Sequence, residues 1–396
     1  MTRSLELVLA TPAYWPAHGF GGPVVASREL VGRMVERGHR VTVLTTTLVD
    51  VGRRPSARTR VEAVDGATVV YLGTPLRYRW MGITPTLPAR LRRLRPDVVH
   101  VAGFRDPVTT GTAAWCRLRG IPYVFEPLGM LRPRLRKIGL KRALDATLAR
   151  GIPAAAAAVV TVSELEAQDV VAAGVPRERV VVRGLGFPDP AEMPRATGAL
   201  RERLAIPATA PIVLYVGRIA AGKGIEHLLD AARRLPDAHV VLAGPDDRHG
   251  TAAHVERARR DPATTGRVHV LPPTPEPPLE LYPEATVFAL ASAGDSFGIV
   301  AAEAAAAGTA VVVTDRCGVA SFFREGEALV VPDEREAIVA ALTRVVDDAQ
   351  LRGTLGAGGR AAAARMSWSH VADVQEDVYR EVASRTAATN ASTLDA

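Results

Sequence analysis

Strand-like apolar runs alternate with helix-like stretches along almost the entire chain, and this alternation restricts the fold more than any other feature. Strands separated by a helix run parallel, because the helix is the crossover that brings the chain back to the same edge; the pattern predicts α/β domains with parallel sheets. In the first half the strands read at Leu5–Ala10, Arg40–Thr45, Thr68–Leu72, Val98–Val101, Tyr123–Phe125, Ala158–Val162 and Arg179–Val182. In the second they read at Ile212–Val216, His239–Ala243, Val268–Leu271, Val287–Ala291, Ala310–Thr314 and Ala328–Val331. Between the two series, Gly184–Ala199 is rich in Gly, Pro and Ala, and Pro188, Pro190 and Pro194 leave little room for a helix, which marks a linker. At 396 residues the chain is also long for one ordinary domain. The expected arrangement is two Rossmann-like domains, 1–187 and 188–366, facing across a cleft. A helix over 367–386 then packs back on the first domain, and 387–396 forms a disordered tail. A helical break is expected near Gly353–Gly359, and Trp368, Val371, Val374, Val378 and Val382 give the last helix an apolar stripe suited to core packing.

Composition excludes several classes. Hydrophobic residues at 47% and charged residues at 23% are globular values. Cys116 and Cys317 are the two cysteines, too few for a disulfide framework or a structural zinc site, and a cytoplasmic location fits. His249 and His254 lack further ligand residues nearby, so no metal is expected. No apolar run approaches the ~18 residues of a spanning helix, and the start of the sequence lacks the pattern of an export signal. The net charge of +7 is unevenly distributed: residues 1–190 hold 28 Lys+Arg against 15 Asp+Glu, net +13, and the remainder is acidic. A partner with negative charge is expected at the first half: nucleic acid, anionic lipid or a phosphorylated acceptor. Within that half, Met130–Arg142 carries six cations among apolar residues, and Leu76–Met81 mixes aromatics with Arg. Both suit an anionic membrane surface, which predicts peripheral association at its inner face. No nucleic-acid-binding module is recognisable, so nucleic acid is not an expected partner.

In open parallel sheets ligands bind beyond the carboxyl ends of the strands, so the loops there carry the chemistry. After the first strand come Gly19, Gly21 and Gly22, then a helix to about Arg37; glycines at a helix start let backbone amides approach an anion. The spacing is not that of a dinucleotide fold, since Val24 stands where the third Gly or Ala belongs and the second strand ends in Thr45–Thr47 with no ribose-binding acid. After Ile212–Val216 the chain reads Gly217-Arg218-Ile219-Ala220-Ala221-Gly222-Lys223-Gly224 and enters a helix. Two cations interleaved with glycines at a helix start suit a diphosphate, and Lys223 is one of three lysines among 49 basic residues. The third loop lies in ALASAGDSFGIVAAEAAAAGTAVVVTD. Asp295 precedes a helix from about Gly298 to Ala307, Ser296 is placed to cap it, and Glu303 is its only charged residue among alanines. A carboxylate so placed is buried and needs hydrogen-bond donors. Asp295 and Glu303 stand ~12 Å apart if the segment is helical, with the amides of the helix start between them. That suits a ligand with hydroxyls at both ends and an anion in the middle, the form of a sugar nucleotide.

At these residues the chain resembles the glycosyltransferases of the two-Rossmann-domain GT-B fold, and within them the large retaining group called family 4. The resemblance rests on Gly21-Gly22 before a helix ending GHRVTVL, on Gly217-Arg218 with Lys223-Gly224, and on DSFGIVAAEAAAAGTAVVV, and it covers both halves in order. It implies sugar transfer from a nucleoside-diphosphate sugar with retention at the anomeric carbon and without a metal or other cofactor. It also implies that Arg218 and Lys223 hold the diphosphate, Glu303 the ribose, and Asp295 the donor sugar, with backbone amides of Phe297, Gly298 and Ile299 in the same site. The acceptor belongs on the first domain, and lipid-linked or glycan acceptors are common in such families. The sequence departs from the family pattern in three places. Asp295 stands where the first acid is usually Glu. Glu126-Pro127-Leu128-Gly129-Met130 lacks the usual His before Gly, which makes Glu126 and His100 the nearby polar candidates for the reaction. Gly184-Leu185-Gly186-Phe187 replaces an Asn-Gly turn. Two other functions fit the same motifs: a GT-B sugar-nucleotide 2-epimerase, and a non-catalytic sugar-nucleotide-binding subunit.

Overall fold

The computed structural model describes residues 3–50, 52–78, 80–131, 151–246, 250–274 and 276–394. It divides into two compact units, Met1–Gly184 with Trp368–Ala396, and Leu185–Ser367. The first unit contains β1 (Glu6–Ala10), α1 (Gly22–Glu36), β2 (Arg40–Thr46), β3 (Arg60–Val64), β4 (Ala67–Leu72), β5 (Leu76–Tyr78), β6 (Met81–Ile83) and α2 (Leu87–Leu91). β7 (Val98–Ala102), α3 (Pro107–Arg119), β8 (Tyr123–Glu126), α4 (Ile152–Ala155), β9 (Ala158–Thr161), α5 (Glu164–Ala172) and β10 (Val180–Val182) follow. Eight of the strands form one sheet in the order β10-β9-β8-β7-β1-β2-β4-β3. The central strands are parallel and buried on both faces, which is why they read as continuous Val- and Leu-rich runs: every residue of β7 is buried.

Three strands go beyond the expected set. β3 runs antiparallel to β4 at the sheet edge, joined by Asp65-Gly66, both with positive φ, 48° and 79°. Four of its five residues are exposed, and the charged Arg60 and Glu62 interrupt the apolar ones, so it carries no apolar run. β5 and β6 form a separate hairpin pairing Leu76 with Ile83 and Tyr78 with Met81.

The second unit contains α6 (Ala199–Leu204), β11 (Ile212–Val216), α7 (Ile225–Arg234), β12 (His239–Ala243), α8 (Thr251–Arg260), β13 (Val268–Leu271), β14 (Val287–Leu290), α9 (Ile299–Ala307), β15 (Ala310–Thr314), β16 (Leu329–Val331), α10 (Arg335–Asp347) and α11 (Ala349–Arg365). Its sheet has the order β13-β12-β11-β14-β15-β16, parallel throughout. The boundary lies before Leu185 rather than after Phe187 because Phe187 belongs to this unit: its N–H donates to Met366 O at 2.8 Å, and its ring meets Phe297 and Phe323 edge-on. The expected break near Gly353–Gly359 is absent, and α11 runs through it. The glycines serve close packing: a Cβ at Gly356 would run into the Gly308 carbonyl, and one at Gly358 into that of Gly326.

The last helix, α12 (Trp368–Leu394), belongs to the first unit and continues past the expected end at 386. Ala372, Val378, Tyr379 and Val382 join a core with Leu7, Leu9, Leu30 and Met34, and Arg37 of the turn after α1 binds Asp373 at 2.6 Å and Glu376 at 2.8 Å. Among the described residues no helix is long and apolar enough to cross a membrane. The basic stretch Arg132–Arg142 and His249 lie outside the described residues.

Candidate functional site

The second sheet reverses its strand order between β11 and β14, and the loops leaving the carboxyl ends of those two strands lie at this switch point, the usual ligand position in such sheets. These are loops 217–224 and 291–298, the two that the sequence singles out. They touch each other. Ala293 N–H donates to Gly222 O at 3.0 Å. Gly224 has φ 70° and lies so close to Ala291 that a Cβ would run into its carbonyl, so only glycine fits. The buried Tyr215 phenol donates to Arg218 O at 2.8 Å, which fixes the Arg218 backbone while its side chain stays exposed. Lys223 Nζ sits 2.7 Å from Asp295 Oδ2, the two side chains 25% and 24% exposed. A cation and an acid from separate loops are thus in direct contact at the switch point of the sheet.

α9 starts beside Asp295. Its N-cap is Gly298, at φ 97°, and not Ser296 as the sequence suggests; no side chain caps it, so its first-turn N–H groups have no side-chain partner. Phe297 is 3% exposed, with its ring against Phe187 and Phe322. The side chain therefore anchors the loop, and only the backbone there is available to a ligand. Ile299 is half-buried at the helix start. One turn further, Glu303 is 6% exposed between alanines. Burial pushes its carboxyl up to about 7, opposed by a hydrogen bond from the Tyr282 phenol. Tyr282 is a residue the sequence does not point to: it lies 21 positions away in a 3-10 turn, Leu279–Glu284, with no motif to mark it.

The remaining candidates lie in the first unit. Gly21, exposed, is the N-cap of α1 with φ 70° and no side-chain cap; Gly22, half-buried, opens the helix. His100 and Glu126, candidates for the reaction by sequence, are instead enclosed at 2% and 4% exposure. His100 Nε2 lies 2.9 Å from Glu126 Oε2, and His100 Nδ1 lies 2.6 Å from the Tyr379 hydroxyl. Arg183 donates to Glu126 Oε1 at 2.6 Å and to Gln375 Oε1 at 2.6 Å. Burial alone would raise Glu126; Arg183 and His100 outweigh it and hold the carboxyl down at about 2. The group is a buried network joining β7, β8 and Arg183, the residue after β10, to α12, whose role therefore exceeds core packing. Next to it, Leu128 has φ 52°, and the following Gly129 N–H is held by Glu166, which also accepts from Val162 N–H at 2.9 Å. Burial pushes Glu166 up to about 7 against those two donors. The structure thus brings Arg218, Lys223, Asp295, Phe297, Gly298, Ile299 and Glu303 into one unit, and Gly21, Gly22, His100 and Glu126 into the other. Among the described residues no group of three or more His, Cys, Asp or Glu is placed to hold a metal ion.

Comparison with known proteins adds three results. The family described as "Glycosyl transferases group 1" matches residues 197–362, and "Glycosyl transferase 4-like domain" matches 21–186. The chain is 34% identical over 247 residues to a D-inositol 3-phosphate glycosyltransferase of Xylanimonas cellulosilytica, a match spanning 59% of each chain. It is 33% identical over 288 residues to an alpha-maltose-1-phosphate synthase of Mycolicibacterium smegmatis, covering 67% of this chain and 74% of that one. Several other D-inositol 3-phosphate glycosyltransferases are matched over less than half of their length. In structure the chain is similar to sucrose-phosphate synthase from Thermosynechococcus elongatus, with TM-score 0.75 at 22% identity over 96% of this chain and 99% of that one; the likeness shows the two-domain GT-B fold.

Proposed function

Because the chain belongs to the glycosyl transferases group 1 family, we propose that it transfers a sugar from a nucleoside-diphosphate sugar to an acceptor, with retention of anomeric configuration and without a metal. The observation that carries this is the contact of Lys223 with Asp295 at the switch point of the second sheet, beside the uncapped start of α9. An anion held by Lys223, Arg218 and the amides of Gly298 and Ile299 places its next group against Asp295. Glu303, one helical turn further, takes hydroxyls at the nucleoside end. As the sugar leaves, negative charge gathers on the diphosphate, and two cations with a helix N-terminus stabilise it in a preorganised way, the part a metal plays in other transferases. Asp295 faces the sugar, where positive charge develops in the transition state.

For the acceptor we favour a phosphorylated polyol or sugar. One relative is named for transfer involving D-inositol 3-phosphate, and another for synthesis of a phosphorylated sugar, maltose 1-phosphate. The net +13 of residues 1–190 gives an anionic acceptor a reason to approach the first unit. The lipid-linked acceptor and the anionic membrane rest chiefly on Arg132–Arg142, outside the described residues. A thermal-shift panel of sugar nucleotides tests the donor, since a ligand bound only by the folded state raises the melting temperature. One nucleoside class is expected to stabilise with or without its sugar, and no stabilisation by any of them contradicts the proposal.

A further inference from the structure

We propose that Tyr282 is a positioning residue for the donor: its buried phenol holds one oxygen of Glu303, leaving the other to accept from ligand hydroxyls and so favouring ribose over a sugar that lacks them. The inference rests on the donor reading above. Tyr282 is fully buried, and its hydroxyl donates to Glu303 Oε2. Its ring stands edge-on to Phe288, centroids 5.6 Å apart. Its carbonyl accepts from the Thr309 hydroxyl at 2.6 Å, and Thr309 directly follows the glycine that ends α9. The residue that orients the carboxylate is therefore tied to the helix that carries it, and the two move as one piece.

Among the described residues Tyr282 is the one side-chain donor to Glu303. A buried carboxylate ordinarily has two or more donors, so this one is incomplete until a ligand supplies the rest. The elements packed against α9 supply no other charge beside it. β14, β15 and the turn Gly318–Phe322 have no acidic or basic side chains. Of the arginines of α11, Arg360 lies against Gly308 at the far end of α9, Arg365 is bound to Glu327, and Arg352 to the carbonyls of Val345 and Val346. In the turn 279–284, Glu284 is bound to Thr197 and Gly198, and Glu280 acts on Tyr282. Burial and the Tyr282 phenol thus set the ionisation of Glu303, in opposite directions. Removing the phenol leaves burial unopposed, so Glu303 holds its proton to higher pH and accepts from ribose less well at neutral pH.

Calorimetric titration with a ribonucleoside diphosphate and its 2′,3′-dideoxy analogue, from pH 6 to 9, tests this; the diphosphate's own ionisation is common to both ligands and cancels in their ratio. The wild type is expected to prefer the ribose form about tenfold or more. Tyr282→Phe is expected to cut that preference several-fold at pH 7, to recover part of it at pH 9, and to add little in a Glu303→Gln background. An unchanged preference and pH profile, or the same loss in the Glu303→Gln background, overturns the proposal. Circular dichroism reports whether Tyr282→Phe folds. If it does not, Thr309→Val, which only unties the turn's carbonyl, is expected to lower the preference, and no change overturns the role. A wild type that binds no nucleoside diphosphate overturns the donor reading itself and this inference with it. A wild type that binds both forms equally overturns the inference alone.

Discussion

Asp295→Asn separates the two ends of the donor. The Asp295 carboxylate is 2.7 Å from Lys223, so it neutralises the cation expected to meet the diphosphate. A phosphate reached by the same ammonium would lie ~6 Å from that carboxylate, a repulsion of ~1–3 kcal/mol at effective dielectric constants of ~20–40. With both side chains about a quarter exposed, the lower end applies. Asp295→Asn is therefore expected to bind free nucleoside diphosphate as tightly as the wild type or up to ~10-fold tighter, while turnover falls because the charge facing the sugar is gone. Lys223→Ala removes a charge-assisted contact of ~1.5–3 kcal/mol and is expected to weaken the same ligand by ~10- to 100-fold. Glu303→Gln is expected to weaken it with or without an attached sugar. Isothermal titration of the three variants, with and without the sugar on the ligand, reads all of these, and both charge effects shrink with salt. If Asp295→Asn loses the free diphosphate as severely as Lys223→Ala does, Asp295 does not face the sugar end alone but acts by holding Lys223 in place.

Three further outcomes follow from the same contacts. Arg183→Leu leaves Glu126 buried without its main counter-charge and is expected to cost ~3–5 kcal/mol of stability, read from urea unfolding midpoints. Gly224→Ala forces a Cβ into the Ala291 carbonyl, so it should lower the melting temperature far more than Gly222→Ala, where φ is also positive but nothing lies within 4 Å of the added atom. Stability should also depend on pH in two windows. Glu126, held at about 2, contributes stability that is complete above its ordinary 4.5 and is lost as pH falls toward 2. Glu166 and Glu303, held up at about 7, keep protons in the folded state that the unfolded chain loses above 4.5, so stability declines as pH rises from 4.5 to 7 and levels off above it. Unfolding curves across pH 3–9 measure both windows, and Glu166→Gln or Glu303→Gln should flatten the upper one.

The parallel core was legible because strands buried on both faces must be apolar throughout; each expected strand lies within a residue or two of an observed one. The edge was not, because β3 has little to bury: its residues RVEAV are mostly exposed. Its turn was nevertheless written in the sequence, since Asp-Gly between two alternating runs is a strong hairpin signal. The donor loops were legible for a related reason, namely that glycines, a lone lysine and two acids stand out against a background of Arg and Ala. Burial and long-range pairing were not. His100 and Glu126 read as polar groups at strand ends, yet the partners that enclose them, Arg183, Gln375 and Tyr379, lie up to 279 positions away. Tyr282 is hidden in the same way, since a phenol shows its purpose only once the fold has placed it on Glu303. Ser296 failed as a cap because Gly298, with its left-handed φ, takes the N-cap position directly before Ile299, two residues beyond Ser296.

Transfer from a sugar nucleotide to an acceptor is measured by following nucleoside diphosphate release and product formation with a donor chosen from the thermal-shift panel, in the presence and absence of phosphorylated polyols and sugars. Release is expected to require an acceptor, to match the glycosylated product one to one, to persist in chelator, and to give a product whose anomeric proton coupling shows the configuration of the donor. A new sugar nucleotide or free sugar formed without any acceptor would indicate an epimerase, and donor binding with no turnover across the acceptors would indicate a binding subunit; either result would rule out the proposed transfer.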